Sequence, residues 1–277
     1  MTDFNLLPRL GVGLSYRPEL DEVLLARAGE IDFVEVITER FFHAHQRRGL
    51  ELLQRRVPIV CHGLDLCVGS FDPIEETYLE ALRDVAIRVQ PVWFSDHLAT
   101  TRVGGIDFEQ LAPVAFTEEN LVSVCTKVAR AKAEVDRAFL LENITYYFEM
   151  PGSMMSEAEF LTRVVEQADC GLLLDVNNLA INASNHGYDP ERFLRLIPLE
   201  RVVEVHVAGG AKQGTLRVDT HGHPVSDDVW RLLEIVCRRA PVHGIVLERE
   251  QNMPSFDELL DEIRHARDVL AGAAVVH

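Results

Sequence analysis

Residues 171–178 read Gly-Leu-Leu-Leu-Asp175-Val-Asn177-Asn178, and this stretch decides the fold. A short, continuous apolar run that ends in an acid and amides is a strand buried on both faces, with its polar chemistry at the C-terminal end. The same plan recurs along the chain. Val-Cys-His62-Gly, Phe-Ser-Asp-His97-Leu, Leu-Leu-Glu142-Asn143, Val-Glu204-Val-His206-Val and Ile-Val-Leu-Glu248-Arg-Glu250 each close a β-rich run, and Glu35 lies inside Phe-Val-Glu-Val. Eight such runs are predicted, at 9–16, 33–38, 57–63, 92–100, 138–145, 171–179, 201–209 and 243–250. Helix-like stretches follow them. Apolar residues recur at three- and four-residue spacing across 75–89 and 117–135, and Ser156 with Glu159 makes a capping box. Strands alternating with helices call for parallel pairing through right-handed crossovers. Eight evenly spaced repeats predict a closed (β/α)₈ barrel, a TIM barrel, rather than a doubly wound open sheet. The chain has 277 residues, and such a barrel needs about 250. We therefore expect a single α/β domain over 1–277, with 266–277 as a helix end and a frayed tail.

Bulk composition narrows the function. The net charge is −17, with lysine only at 127, 132 and 212. Nucleic-acid binding leans on a basic footprint, so none is expected. The five cysteines are odd in number and form no CxxC pair. They read as reduced, mostly buried thiols, which suits a cytoplasmic protein. The first residues, MTDFNLLPRLGVG, lack a basic region followed by a long apolar run, so no signal peptide is expected. No apolar stretch reaches the roughly 18 residues of a membrane span, so no membrane partner is expected either.

The polar strand ends carry the chemistry. A lone histidine at a strand end is usually structural. Six consecutive strands that each deliver an ionisable group to one end are not, because such groups are rarely buried unless paired or metal-bound. In a barrel that end holds the active site. Side-chain alternation puts His62 on the face of Val60, and His97 on that of Ser95 and Trp93, leaving Cys61 and Asp96 outside. Glu204 shares a face with His206 and is expected to orient its ring. The loop Asp219-Thr-His221 adds an Asp-x-His pair. The candidate ligands are thus His62, His97, Glu142, Asp175, His206, Asp219, His221 and Glu248, with Asn178 as a possible ninth. One ion needs three or four protein ligands, so this set implies two or three ions. Nitrogen and oxygen donors suit iron, zinc or manganese. Asn143, Tyr146 and His186 are expected in substrate or supporting roles near the mouth.

These residues resemble the xylose-isomerase-like barrel superfamily, including the trinuclear zinc apurinic endonucleases. That resemblance implies one metal on His62, His97 and a bridging Glu142, and a second on Glu142, Asp175, His206 and Glu248. It implies a third on Asp219, His221 and the position of Asn178, where the endonuclease pattern has histidine. A closer resemblance is to the multinuclear non-haem iron-dependent oxidases (MNIO). It is carried by LGVGLSYRPEL, CHGLDLCVGS, SDHLA, LLENITYY, LLLDVNNLAINASNHGYDP, EVHVAGG, DTHGHPV and VLERE. In that family the asparagine of DVNN is the expected residue. The resemblance implies an oxidoreductase of peptide natural-product (RiPP) biosynthesis. It would use two or three irons in mixed Fe(II)/Fe(III) valence and O₂ as co-substrate. The substrate would be a ribosomally made precursor peptide, most often oxidised at cysteine, with a small leader-binding partner protein. Glu142, Asp175 and His206, at the centre of the ligand set, are then the expected catalytic residues. The alternative is a zinc- or manganese-dependent hydrolase of the apurinic-endonuclease type, disfavoured by the acidity and the scarcity of lysine.

Overall fold

The structure, a computed structural model, describes residues 2–274, apart from the side chains of 44–48 and 274. Eight parallel strands form a closed barrel: β1 (Gly11–Ser15), β2 (Val34–Ile37), β3 (Ile59–Gly63), β4 (Trp93–His97), β5 (Ala138–Glu142), β6 (Gly171–Asp175), β7 (Val202–Val207) and β8 (Gly244–Leu247). Strands neighbour one another in chain order, and β1 closes on β8 with Gly11 beside Gly244 and Leu14 beside Leu247. The predicted barrel is therefore the observed one.

Alternation along the strands divides the apolar residues into two cores. Outward-facing Val12, Val36, Cys61, Phe94, Leu141, Leu174, Val205 and Ile245 pack beneath the surrounding helices. Inward-facing Phe33, Val60, Trp93, Leu140, Leu173, Val203 and Val246 fill the lower half of the barrel, with Phe4 plugging the floor. Phe33 and Trp93 meet edge to face at 6.3 Å between ring centres. Above this plug the interior is polar.

One irregularity sets the face of β7. The register runs from Leu172↔Val202 to Leu173↔Glu204, so Val203 is an extra residue. The bulge lets Val203 join the apolar floor while Glu204 and His206 also face inward.

Several expected strands are shorter than the apolar runs that announce them. The sixth stops at Asp175 instead of 179, because the Asp175 carboxylate accepts the Asn178 backbone N–H and caps the helix Val176–His186. The fourth stops at His97, and Thr100–Val103 pairs antiparallel with Ile106–Ala112 in a hairpin the sequence reading lacked. The fifth ends at Glu142 rather than 145. Ser156 caps the helix Glu157–Gln167 as expected. The last helix runs Phe256–Ala274; the expected fraying at 275–277 lies outside the described residues. The five cysteines are free, four buried and Cys125 partly so.

Candidate metal centre

The C-terminal ends of the strands bring the predicted donors together in the mouth. His97 of β4 lies beside Glu142 of β5 in register, and Asp175 of β6 beside His206 of β7. His62 Nε2 is 3.1 Å and His97 Nε2 3.2 Å from Glu142 Oε2, and the two nitrogens are 3.2 Å apart. Outer contacts fix both rings. The Ser95 hydroxyl donates to the Cys61 carbonyl, so His62 Nδ1 donates to Ser95 Oγ at 2.8 Å. His97 Nδ1 donates to the Gly63 carbonyl at 3.0 Å. Each neutral ring therefore turns an Nε2 lone pair toward the carboxylate. Three lone pairs converging on one point repel unless a cation or a shared proton lies among them.

A second group follows from the same carboxylate. Glu142 Oε1 is 3.7 Å from His206 Nδ1, and ligand atoms of Glu142, Asp175 and His206 all lie within 4.8 Å of one another. A third comprises Asp175, His221 and Glu248 at the same spacing. Glu248 Oε2 sits between His206 Nδ1 (3.2 Å) and His221 Nδ1 (3.4 Å). Asp219 Oδ1 is 2.8 Å from His221 Nε2 and accepts from Asn177 Nδ2 at 3.0 Å. Glu142 and Asp175 are thus each shared by two neighbouring groups.

The donor set fits metal ions. Glu142 Oε2, Asp175 Oδ2 and His206 Nδ1 are buried without hydrogen-bond partners, at a cost of about 1–3 kcal/mol each if nothing binds them. All donors are nitrogen or oxygen, and Cys61 points out of the barrel. Electrostatics point the same way. Burial would raise the Glu142 carboxyl, but His97 and His62 hold it down at about 2. Burial works against the His62 imidazolium, yet Glu35 and Glu142 lift it to about 10. Burial pushes His97 down to about 4 despite Glu142. The carboxylates thus favour positive charge at the point where the three donors meet.

Three features of the backbone deliver the loop ligands. A Cβ on Gly209 would come within 2.1 Å of the His223 carbonyl, so glycine alone lets the loop after β7 fold back over the mouth. His221 holds a left-handed φ of 46°, a conformation that non-glycine residues rarely keep without a reason in the surroundings. Glu250 N–H donates to the His221 carbonyl at 2.8 Å, tying that loop to the end of β8.

Some expected roles move. Glu204 does not orient His206; it accepts from Trp93 Nε1 at 2.8 Å, below the centre. Glu35 takes that place, accepting from His206 Nε2 at 2.8 Å across 171 residues of sequence. Asn143 is turned away from the cavity: its amide donates to the Asp175 carbonyl (3.0 Å) and accepts the Asp175 N–H (2.9 Å), clamping β5 to β6. Asn178 lines the mouth, but its amide accepts from Thr145 Oγ1 (2.6 Å) and donates to the Asn143 carbonyl (3.0 Å). Tyr146 and His186 stack on each other at 4.5 Å, and His186 Nε2 donates to the Tyr146 carbonyl at 2.9 Å, behind the wall rather than in the mouth. Tyr147 lines the mouth instead, its hydroxyl accepting from the Asp219 N–H at 3.1 Å.

The mouth opens into a cavity of about 460 Å³. Arg17 lies in its wall, donating to Ser15 Oγ (2.8 Å) and Glu250 Oε1 (2.6 Å). Glu109, Gln110 and Leu111 of the unforeseen hairpin overhang it. No helix among the described residues is long and apolar enough to cross a membrane.

Comparisons with known proteins agree with this architecture. The profile of a family described as "RiPP precursor modification enzyme MbnB/TglH/ChrH" matches residues 11–271. A protein of Caulobacter vibrioides named only "UPF0276 protein" is 38% identical over 266 residues, covering 95% of both chains. One of Anaeromyxobacter sp., also a "UPF0276 protein", is 39% identical over 266 residues, covering 95% of this chain and 94% of the relative. Among solved structures, endonuclease IV of Thermus thermophilus superposes with a TM-score of 0.60 at 18% identity, covering 96% of this chain and 100% of that one. D-psicose 3-epimerase of Clostridium cellulolyticum gives 0.59 at 12%, covering 96% and 99%. At such identities the two structures share the fold alone. The chain belongs to the RiPP precursor modification enzyme family.

Proposed function

We propose that this enzyme uses iron and O₂ to oxidise a ribosomally made precursor peptide, with cysteine as the target side chain. The observation that carries the reading is the pair of shared carboxylates. Glu142 and Asp175 each serve two adjacent donor groups, the arrangement a cluster of two or three ions requires. His62 and His97 would hold one ion with Glu142, and His206 with Asp175 the next. His221 and Glu248 would complete the third group, with Asp219 and Asn178 beside it. Bound iron would supply the one-electron chemistry that activates O₂.

The chain's own residues do the rest. Ser95, Gly63 and Glu35 fix the ring tautomers so that lone pairs face the mouth. The Phe33–Trp93 plug closes the barrel from below, so water and substrate enter from the mouth only. Arg17 adds a cation to the wall of the mouth, held by Glu250. The rim favours a peptide over a small sugar. Leu64, Phe71, Val103, Ile106, Phe108, Tyr147, Phe148 and Met154 are all exposed, on the loops that follow β3, β4 and β5. Such a surface also suits a small partner protein that presents the leader.

The test is anaerobic purification with ferrous iron, followed by metal analysis, oxygen uptake and peptide mass spectrometry. The probe is a ribosomally made precursor peptide that carries cysteine, compared with the same peptide in which serine replaces it. The reading expects two to three irons per chain, from the donor count, and peptide-dependent O₂ consumption with a mass change on the peptide. Full activity with stoichiometric zinc, or cleavage of abasic DNA, would sink it.

A further inference from the structure

A second cavity, of about 300 Å³, lies behind the wall of the mouth. The consecutive residues Tyr146 and Tyr147 face opposite ways, Tyr147 into the metal cavity and Tyr146 into this side pocket. Four aromatic rings line it: Phe116, Tyr146, Tyr188 and Phe193. Phe116 stands edge-on to Tyr146 with ring centres 6.3 Å apart, and Tyr188 runs nearly parallel to Phe193 at the same distance. Among them is one carboxylate. Glu157, in the first turn of its helix, accepts from the Tyr146 hydroxyl at 3.2 Å. The buried Tyr188 hydroxyl faces the same carboxylate.

Aromatic faces around a carboxylate are the chemistry that holds an organic cation, because the ring quadrupoles and the full charge act on the same guest. Burial raises the Glu157 carboxyl to about 8, against the Tyr146 and Tyr188 hydroxyls, so a bound cation would restore its charge. Glu149 and Asp189 stand at the rim beside exposed Arg192, with Asp189 paired to Arg195 at 3.1 Å. The exposed side chains of Phe148, Met154 and Leu196 belong to the same segments and offer an apolar approach.

We propose that this side pocket binds the basic side chain of a peptide, a lysine ammonium or arginine guanidinium, on Glu157 within the ring of Phe116, Tyr146, Tyr188 and Phe193. Only the choice of a peptide as carrier rests on the function proposed above. The pocket shares the 146–147 segment with the metal cavity, so a basic residue anchored there would place the adjoining peptide at the rim.

The experiment is calorimetric titration of the purified protein with Nα-acetyl-lysine methylamide, its neutral norleucine counterpart, and butylammonium. The lysine probe should bind saturably, and at least about tenfold more tightly than norleucine. Glu157→Gln should abolish that preference, while Tyr188→Phe keeps the fold and weakens binding. Equal binding of norleucine, or an unchanged preference in Glu157→Gln, overturns the proposal. Butylammonium binding as tightly as the lysine probe overturns the assignment to a peptide. None of these measurements needs metal or turnover, so failure of the oxidase reading leaves the result standing, and the reverse also holds.

Discussion

Replacing Glu35 tests whether the carboxylate beneath the centre governs metal binding through His206. The contact is a short one, His206 Nε2 to Glu35 Oε2 at 2.8 Å, with both side chains fully buried. It forces the hydrogen onto Nε2 and turns Nδ1 toward Glu142 and Glu248. Loss of a carboxylate behind a ligating histidine costs about 10–100-fold in metal affinity, or about 1.4–2.7 kcal/mol. Glu35→Ala should fall in that range. Glu35→Gln keeps a carbonyl that can accept from Nε2 and should lose less, about tenfold or below. Competition between the metal-free protein and a chelator, followed anaerobically for iron and separately for zinc, reads both numbers. An affinity for Glu35→Ala within about threefold of the parent would refute the reasoning. So would a Gln variant that loses as much as Ala, because the effect would then be charge and not ring orientation.

Other perturbations separate the remaining parts. Glu142→Ala should lower the metal content by more than one equivalent, since its two oxygens face two groups; retention of full metal content by plasma emission would remove its bridging role. Asn143→Ala deletes both bonds to the Asp175 backbone and should cost about 1–3 kcal/mol in urea unfolding, with a negligible change arguing against the clamp. Glu204 is a pH probe. Burial and the neighbouring Glu35 lift its carboxyl from 4.5 to about 8, so its contribution to stability is complete below 4.5 and is lost as pH rises through about 8. Measured with chelator present, Glu204→Gln should therefore gain on the parent between pH 5.5 and 8.5; a difference independent of pH would contradict the assignment.

Much of this was legible in the sequence because it depends on period and position. The apolar runs ending in His62, His97, Glu142, Asp175 and Glu248 announced both the strands and the end at which those side chains gather. What escaped depends on distance. Nothing local links Glu35 to His206, so the nearer Glu204 was the natural choice, and only the Val203 bulge and the closed barrel reveal otherwise. The limit of strand six was hidden because Leu-Leu-Leu-Asp-Val-Asn-Asn is apolar enough for a strand and capped well enough for a helix. Past the strand end alternation lapses, so the sequence could not say that Tyr147, and not Tyr146, enters the mouth. The hairpin 100–112 was concealed in what read as a strand and a polar loop.

The closure of β1 on β8 has a consequence for the order of events in the cell. The donors span residues 62 to 248 and come from six strand ends and the loop after β7. The first group is complete once Glu142 is made, whereas the other two need His206, His221 and Glu248. Glu248 follows β8, the strand that seals the barrel, so it is the last of the donors to be synthesised. A metal held by those later groups would therefore need the closed fold. Binding only to that fold, it stabilises the native state by mass action. Loss of the metal would then lower the stability of the barrel.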